Sequence, residues 1–264
     1  MKKSKKAILM IVMALIICGC GAGITYKIYG NGEKDITEMF FDPDSREYVK
    51  NMTVYNNEMI EMDGYKVALE TSLYDSEVGI GYFVFSIQQT DGGTDYLDEF
   101  FKKYHFEEYS AGSIQTEVIT EGNTTYYYLG LEITLWPSDK FKDKVYLKER
   151  ESSAELYVFD LISVSNNQKY EYNGKQVVLS PIGLRVNREQ FIEPDIVILK
   201  YNDGTKDKTI VKDGRLQEKN NENLSHMGGG DGKYAFICNF KNIMDITNVE
   251  SIVVDGNEYK LVTE

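Results

Sequence analysis

Asp63-Gly-Tyr-Lys-Val-Ala-Leu-Glu-Thr-Ser-Leu73 is the stretch that decides the fold class. It opens on Asp-Gly, two residues that accept the positive φ of a two-residue hairpin turn. Apolar and polar residues then alternate, with Val67 and Leu69 on one side and Leu73 rejoining that side after a slip. A period of two marks a half-buried strand. The next run, Val78-Gly-Ile-Gly-Tyr-Phe-Val-Phe-Ser-Ile87, is rich in the aromatic and β-branched residues that suit a pleated surface. The same grammar repeats outward from here. Asp-Gly stands at 63–64, 91–92, 203–204, 213–214, 231–232 and 255–256, and Asn-Gly at 31–32 and 173–174. Strand-like runs fall at 114–120, 125–135, 144–147, 154–164, 169–172, 176–179, 183–186, 196–201, 209–211, 234–240, 251–254 and 259–262. Short strands so densely punctuated predict antiparallel sandwiches rather than βαβ units.

One pattern, [Asp/Asn]-Gly-x-x-apolar-x-Leu, occurs at Asp63–Leu69, Asn173–Leu179 and Asp255–Leu261. It reads either as a generic hairpin entering a strand or, in its first two copies, as the opening of two similar domains. The polar stretch Ser163-Val-Ser-Asn-Asn-Gln168 is then the boundary. Two short helices interrupt the strands. Leu97, Phe100, Phe101 and Tyr104 recur at helical spacing, and His105 closes that helix. Asp44 or Ser45 caps the other, which runs through Tyr48 and Val49 with Glu47 in its first turn. The expected fold is all-β: two tandem antiparallel immunoglobulin-like β-sandwiches, 31–165 and 166–264, with one or two short helices, after an N-terminal membrane-anchor segment, 1–30.

Composition supports a folded body. The chain has 264 residues and is 42% hydrophobic, enough for a sizeable core. Twenty Tyr and twelve Phe against four Pro favour strands. The net charge is −13, and Lys2, Lys3, Lys5 and Lys6 all precede the apolar run, so the body is more acidic still. Such a body repels phosphate backbones, which argues against nucleic acid as a partner.

The lysines are followed by an unbroken apolar run, 7–17. By the positive-inside rule the lysines stay in the cytoplasm and the body lies on the extracytoplasmic side of the cell membrane. Three anchoring outcomes stand open. Ile17-Cys-Gly-Cys20 resembles a lipobox, in which Cys20 would receive lipid. Read on to Tyr26, the stretch reaches about the length of a transmembrane helix. Cleavage of a signal peptide would instead release the body.

The run 63–75, with Gly81-Tyr-Phe-Val-Phe-Ser86, resembles extracytoplasmic domains of unknown function from Gram-positive bacteria. Some of these lie behind the membrane helix of anti-sigma factors. Gln176-Val-Val-Leu-Ser-Pro-Ile-Gly-Leu184, the 196–204 stretch and the 249–261 stretch are similar to the immunoglobulin-like module that often follows. The resemblance implies a tandem β-sandwich ectodomain and brings no catalytic residues. Six residues before the apolar run leave no room for a cytoplasmic anti-sigma domain, so direct sigma-factor control is not expected.

No constellation carries a reaction. His105 and His226 fall in different halves, without ligands at a recognised metal spacing. Gly228-Gly-Gly-Asp-Gly-Lys233 fails the phosphate-loop pattern at Met227 and Tyr234 and reads as a glycine-rich loop. Asp42-Pro-Asp-Ser-Arg-Glu47 lacks the calcium-loop length and reads as a helix cap. Asp203, Asp207, Asp213 and Asp231 serve turns first. Cys238 reads as a small buried residue. Trp136 before Pro137 ends a strand, and Tyr126-Tyr-Tyr128 puts rings on both faces of another, one buried and one partly exposed. The expectation is a non-enzymatic binding, sensing or scaffold module of the cell envelope. It needs no metal or cofactor, holds the membrane by its N-terminus, and has an envelope protein or cell-wall glycan as partner. The alternative is a carbohydrate-active or ligand-binding lipoprotein using Asp/Glu and exposed aromatics.

Overall fold

The computed structural model describes residues 36–41, 43–90, 97–106, 110–121, 124–134, 143–164, 166–217, 222–230, 233–240 and 243–263. The protein is all-β with short helices. Strands β1 (Val54–Met62), β2 (Tyr65–Asp75), β3 (Ile80–Gln89), β5 (Ser110–Glu121) and β6 (Thr124–Thr134) form a sheet in the order β1-β2-β3-β6-β5. Strands β4 (Tyr104–Phe106), β7 (Lys144–Glu149) and β8 (Glu155–Asp160) form a small second sheet. The third sheet has ten strands. They are β9 (Gln168–Tyr172), β10 (Lys175–Ser180), β11 (Gly183–Arg188), β12 (Ile196–Tyr201), β13 (Lys208–Lys212), β14 (Arg215–Leu216), β15 (Glu222–Gly230), β16 (Lys233–Phe240), β17 (Val249–Val254) and β18 (Asn257–Leu261). Their order is β14-β13-β12-β17-β18-β9-β10-β11-β16-β15, and the sheet curls around its own apolar core.

The turn dipeptides at 63–64, 173–174, 213–214 and 255–256 act as the sequence predicts, whereas Asp203-Gly204 lies in the longer loop between β12 and β13, and those at 31–32, 91–92 and 231–232 lie outside the described residues. Asp63-Gly64, Asn173-Gly174, Asp213-Gly214 and Asp255-Gly256 all have φ between 43° and 83°. Each joins two paired strands by two residues: Met62 faces Tyr65, Tyr172 faces Lys175, Lys212 faces Arg215 and Val254 faces Asn257. Paired positive φ matches the natural twist of a hairpin.

The slip before Leu73 is a β-bulge. The β2–β3 register shifts between Leu69 and Thr71, leaving Glu70 as the extra residue. The bulge reverses the alternation. Val67 and Leu69 enter one core cluster, and Leu73 enters another on the opposite face. Strand β3 serves both, with Phe83, Phe85 and Ile87 on one side and Ile80, Tyr82 and Val84 on the other.

The five-stranded sheet is therefore a middle layer. One face packs on helix α3 (Leu97–Lys103) and the small sheet through Phe100, Tyr104, Val145 and Phe159. The other packs on helices α1 (Ile36–Phe40) and α2 (Pro43–Met52) and on Val178, Ile182, Ala235 and Ile237 of the ten-stranded sheet. This second cluster crosses the 165–166 boundary.

Two helix ends differ from expectation. Pro43, whose fixed φ suits a first helical position, opens α2, so Asp44 and Ser45 stand inside the helix and not at its cap. Helix α3 ends at Lys103, and His105 lies in β4 opposite Lys148. The β4–β7 pairing overrides the continued helical spacing. Gly228, Gly229 and Gly230 are strand β15 rather than loop, opposite Ala235, Tyr234 and Lys233.

Candidate functional site

The β9–β10 turn, the β17–β18 turn and the β11–β12 loop converge around a hollow of about 380 Å³. Its floor is Tyr259, which is buried, with Tyr172 beside it. Their ring centroids are 5.7 Å apart at 51°. Burial raises the Tyr259 hydroxyl above its usual pKa, and Lys175 and Arg188 work against the shift.

Asp255 organises one wall. Its Oδ2 accepts from Arg188 Nη1 at 2.8 Å, and its Oδ1 accepts from the Asp195 and Ile196 amides at 2.8 and 3.2 Å. One carboxylate thus clamps both feet of the β11–β12 loop. That loop displays Phe191 and Ile192, 61% and 54% exposed, and Phe191 meets Tyr234 edge-on at 6.0 Å. On the other wall Lys175 pairs with Glu189 at 3.3 Å. Asn187 accepts from Arg185 Nε at 3.0 Å. The carboxamides of Asn173, Gln190 and Asn257 make no hydrogen bond among the described residues. Each cation at the hollow thus faces a carboxylate, while among the described residues these three carboxamides have no partner.

A second hollow, of about 760 Å³, lies at the junction of the two halves, lined by Glu77, Asn167, Lys169 and Leu261 among others. Its walls form a joint. Glu77 pairs with Lys169 at 3.2 Å, and Arg185 Nη1 donates to the Glu77 carbonyl at 3.3 Å. Asp75 Oδ1 accepts from the Glu77 and Val78 amides at 3.0 and 3.1 Å and from Asn167 Nδ2 at 3.4 Å. Burial nevertheless raises the Asp75 pKa, so desolvation outweighs these bonds.

The residues singled out from sequence do not gather at either place. Tyr128 is buried and packs with the half-buried Tyr126 toward the second half, while half-buried Tyr127 packs on the opposite face. Cys238 is buried in the core of the ten-stranded sheet. Asp203 accepts from the Thr205 amide in its own turn, and Asp213 stands in the β13–β14 turn. His226 lies on β15 opposite Ile237, on a different sheet from His105. Among the described residues no three His, Cys, Asp or Glu form a metal-binding group. Among them also, no helix is long and apolar enough to cross a membrane. Cys20, the 7–17 run, Trp136, Pro137 and Asp231 lie outside the described residues. Sequence reading missed Tyr172, Arg188, Asn257 and the Asp255 clamp. The recurring turn pattern was their signal, since the Asn173 and Asp255 copies both line or brace the hollow.

No family model matches the chain. No curated protein matches it. Among solved structures, that of a conserved domain protein from Bacillus anthracis is similar over 84% of each chain, at 14% identity and a TM-score of 0.38.

Proposed function

We propose that this chain is a non-enzymatic binding module of the cell envelope, held at the outer face of the membrane by residues 1–30, with Cys20 as the lipid-bearing residue. In this reading residues 31–165 and 166–264 are tandem β-sandwich units, the second immunoglobulin-like, and the loop end of the second meets the ligand. The hollow between the Asn173 and Asp255 turns carries the proposal. It is concave, with tyrosine at its floor and polar side chains converging on it, a combination that can orient a bound ligand. The carboxylates around it favour binding over hydrolysis, because Asp255 and Glu189 already hold Arg188, Lys175 and two loop amides. The basic N-terminus before the 7–17 run supports the extracytoplasmic placement.

Photo-crosslinking in intact cells tests it. A crosslinker replacing Gln190 at the hollow should yield adducts with envelope material, and one replacing Tyr48 on α2 should not. Absence of hollow-specific adducts would overturn the proposal. Cys20→Ser should leave an unprocessed precursor without lipid.

A further inference from the structure

We infer that the hollow between the β9–β10 and β17–β18 turns takes an uncharged oligosaccharide. The inference rests on the binding-module reading and names its ligand class. Three observations point the same way. Each cation at the hollow faces a carboxylate. Arg188 is 2.8 Å from Asp255 and Lys175 is 3.3 Å from Glu189, so the paired charges leave no net positive charge there to hold an anionic ligand. The side chains with no partner among the described residues are neutral. Asn173, Gln190 and Asn257 each present an amide with two donors and an acceptor carbonyl. Such groups serve adjacent hydroxyls, each of which both donates and accepts. Part of the apolar surface is aromatic. Tyr172 is 37% exposed beside the buried Tyr259, their ring centroids 5.7 Å apart, with Ile192 and Val254 completing the apolar lining. A sugar ring shows an apolar C–H face and a polar hydroxyl edge, which matches a tyrosine floor between carboxamide walls.

The hollow is open on one side, so a sugar bound in it can continue as a chain beyond it. The hollow opens between two turns and beneath a loop whose two feet are held by Asp255, so its mouth is framed by fixed backbone. The body is strongly acidic, which disfavours polyanionic glycans by charge. The ligand class is therefore neutral, and hydrogen bonds with ring packing select it.

The test uses the full-length chain, purified in a detergent without a sugar headgroup. It is titrated calorimetrically with uncharged hexamers of N-acetylglucosamine and of glucose, with polyphosphate, and with an uncharged peptide of similar length. The expected result is saturable binding of at least one sugar hexamer, insensitive to salt between about 0.05 and 0.5 M. Asn257→Ala and Tyr172→Leu should each weaken it by ~10-fold or more, with thermal unfolding of both variants confirming that they fold. The inference is overturned if neither hexamer binds, or if binding survives both substitutions unchanged. It is also overturned if polyphosphate or peptide occupies the hollow and the sugars do not. In that last case hollow-specific crosslinks would persist, so the binding-module reading would stand while the sugar assignment fell.

Discussion

Asp75 sits where its charge is costly and its hydrogen bonds are needed. It is fully buried, yet its carboxylate holds the Glu77 and Val78 amides of the turn that meets the second half. Asp75→Ala leaves both amides without that acceptor and should cost about 2–3 kcal/mol in urea unfolding. The pH dependence has a definite sign. Burial raises the folded pKa of Asp75, so its favourable contribution is complete below the ordinary carboxylate range and declines as pH rises through the folded value. Glu258 is the opposite case. Hydrogen bonds from Ser251, Lys260 and Lys200 lower it to about 2, so its contribution is present above the ordinary carboxylate value and is lost as pH falls toward 2. Urea midpoints against pH should therefore lose part of their acid-side fall in Glu258→Gln, and part of their decline with rising pH in Asp75→Asn. Gly183 shows a steric constraint instead. A Cβ there would stand 2.2 Å from Ile80 Cδ1 and 2.6 Å from the Cys238 carbonyl oxygen. Backbone cannot give way cheaply, so Gly183→Ala should destabilise by about 1–3 kcal/mol, with its damage at the contact between halves.

At the scale of the element, the hairpins were the legible part of the sequence because their cause is local. Asn173 and Gly174 need positive φ, and only a few residue types supply it without strain. Nothing lies within 4 Å of a Cβ built on Gly174, so Gly174→Ala isolates the backbone cost, about 1–2 kcal/mol, measurable as a shift in thermal midpoint. The β2 strand was half legible. Its alternation is visible in the residues, and so is the slip, but the face that Leu73 enters depends on a bulge at Glu70 and on what packs there. The end of α3 was misread for a similar reason: Tyr104 keeps helical spacing in sequence, while pairing with Glu149 makes it strand. The β11–β12 loop was silent, since its order comes from Asp255, sixty residues downstream of its end. That clamp predicts a contrast. Asp255→Gly keeps the turn and removes the acceptor, so the Asp195 and Ile196 amides should exchange with solvent about tenfold faster. Asp255→Asn keeps an acceptor oxygen and should change their exchange far less.

For the whole molecule, the sequence boundary at 163–168 coincides with a change of sheet but not with a break in the core. Strands β10 and β16 are apolar on both faces. Val177, Leu179, Phe236 and Cys238 point into the curled sheet, while Val178 and Ile237 join Leu73, Ile80 and Tyr82 of the first half. Doubly apolar runs are visible in sequence, but which neighbour covers the second face is a long-range fact that no periodicity encodes. The candidate hollow was equally hidden, because its walls come from three separate segments joined only by sheet order. The shared cluster has a consequence for stability. The full chain should unfold its two halves together, in one transition by intrinsic fluorescence and by circular dichroism. Residues 166–264 produced alone should expose Val178, Ile182, Ala235 and Ile237 as one apolar patch, bind a hydrophobic dye and self-associate. Val178→Thr with Ile237→Thr separates this cause from general instability. In the isolated half the pair sits on surface and should restore a monomer on sizing columns. In the full chain the same hydroxyls are buried among Leu73, Ile80 and Tyr82, and each should cost about 1–3 kcal/mol. Opposite signs in the two contexts would mark the two halves as one folding unit; equal signs would mean that each stands by itself.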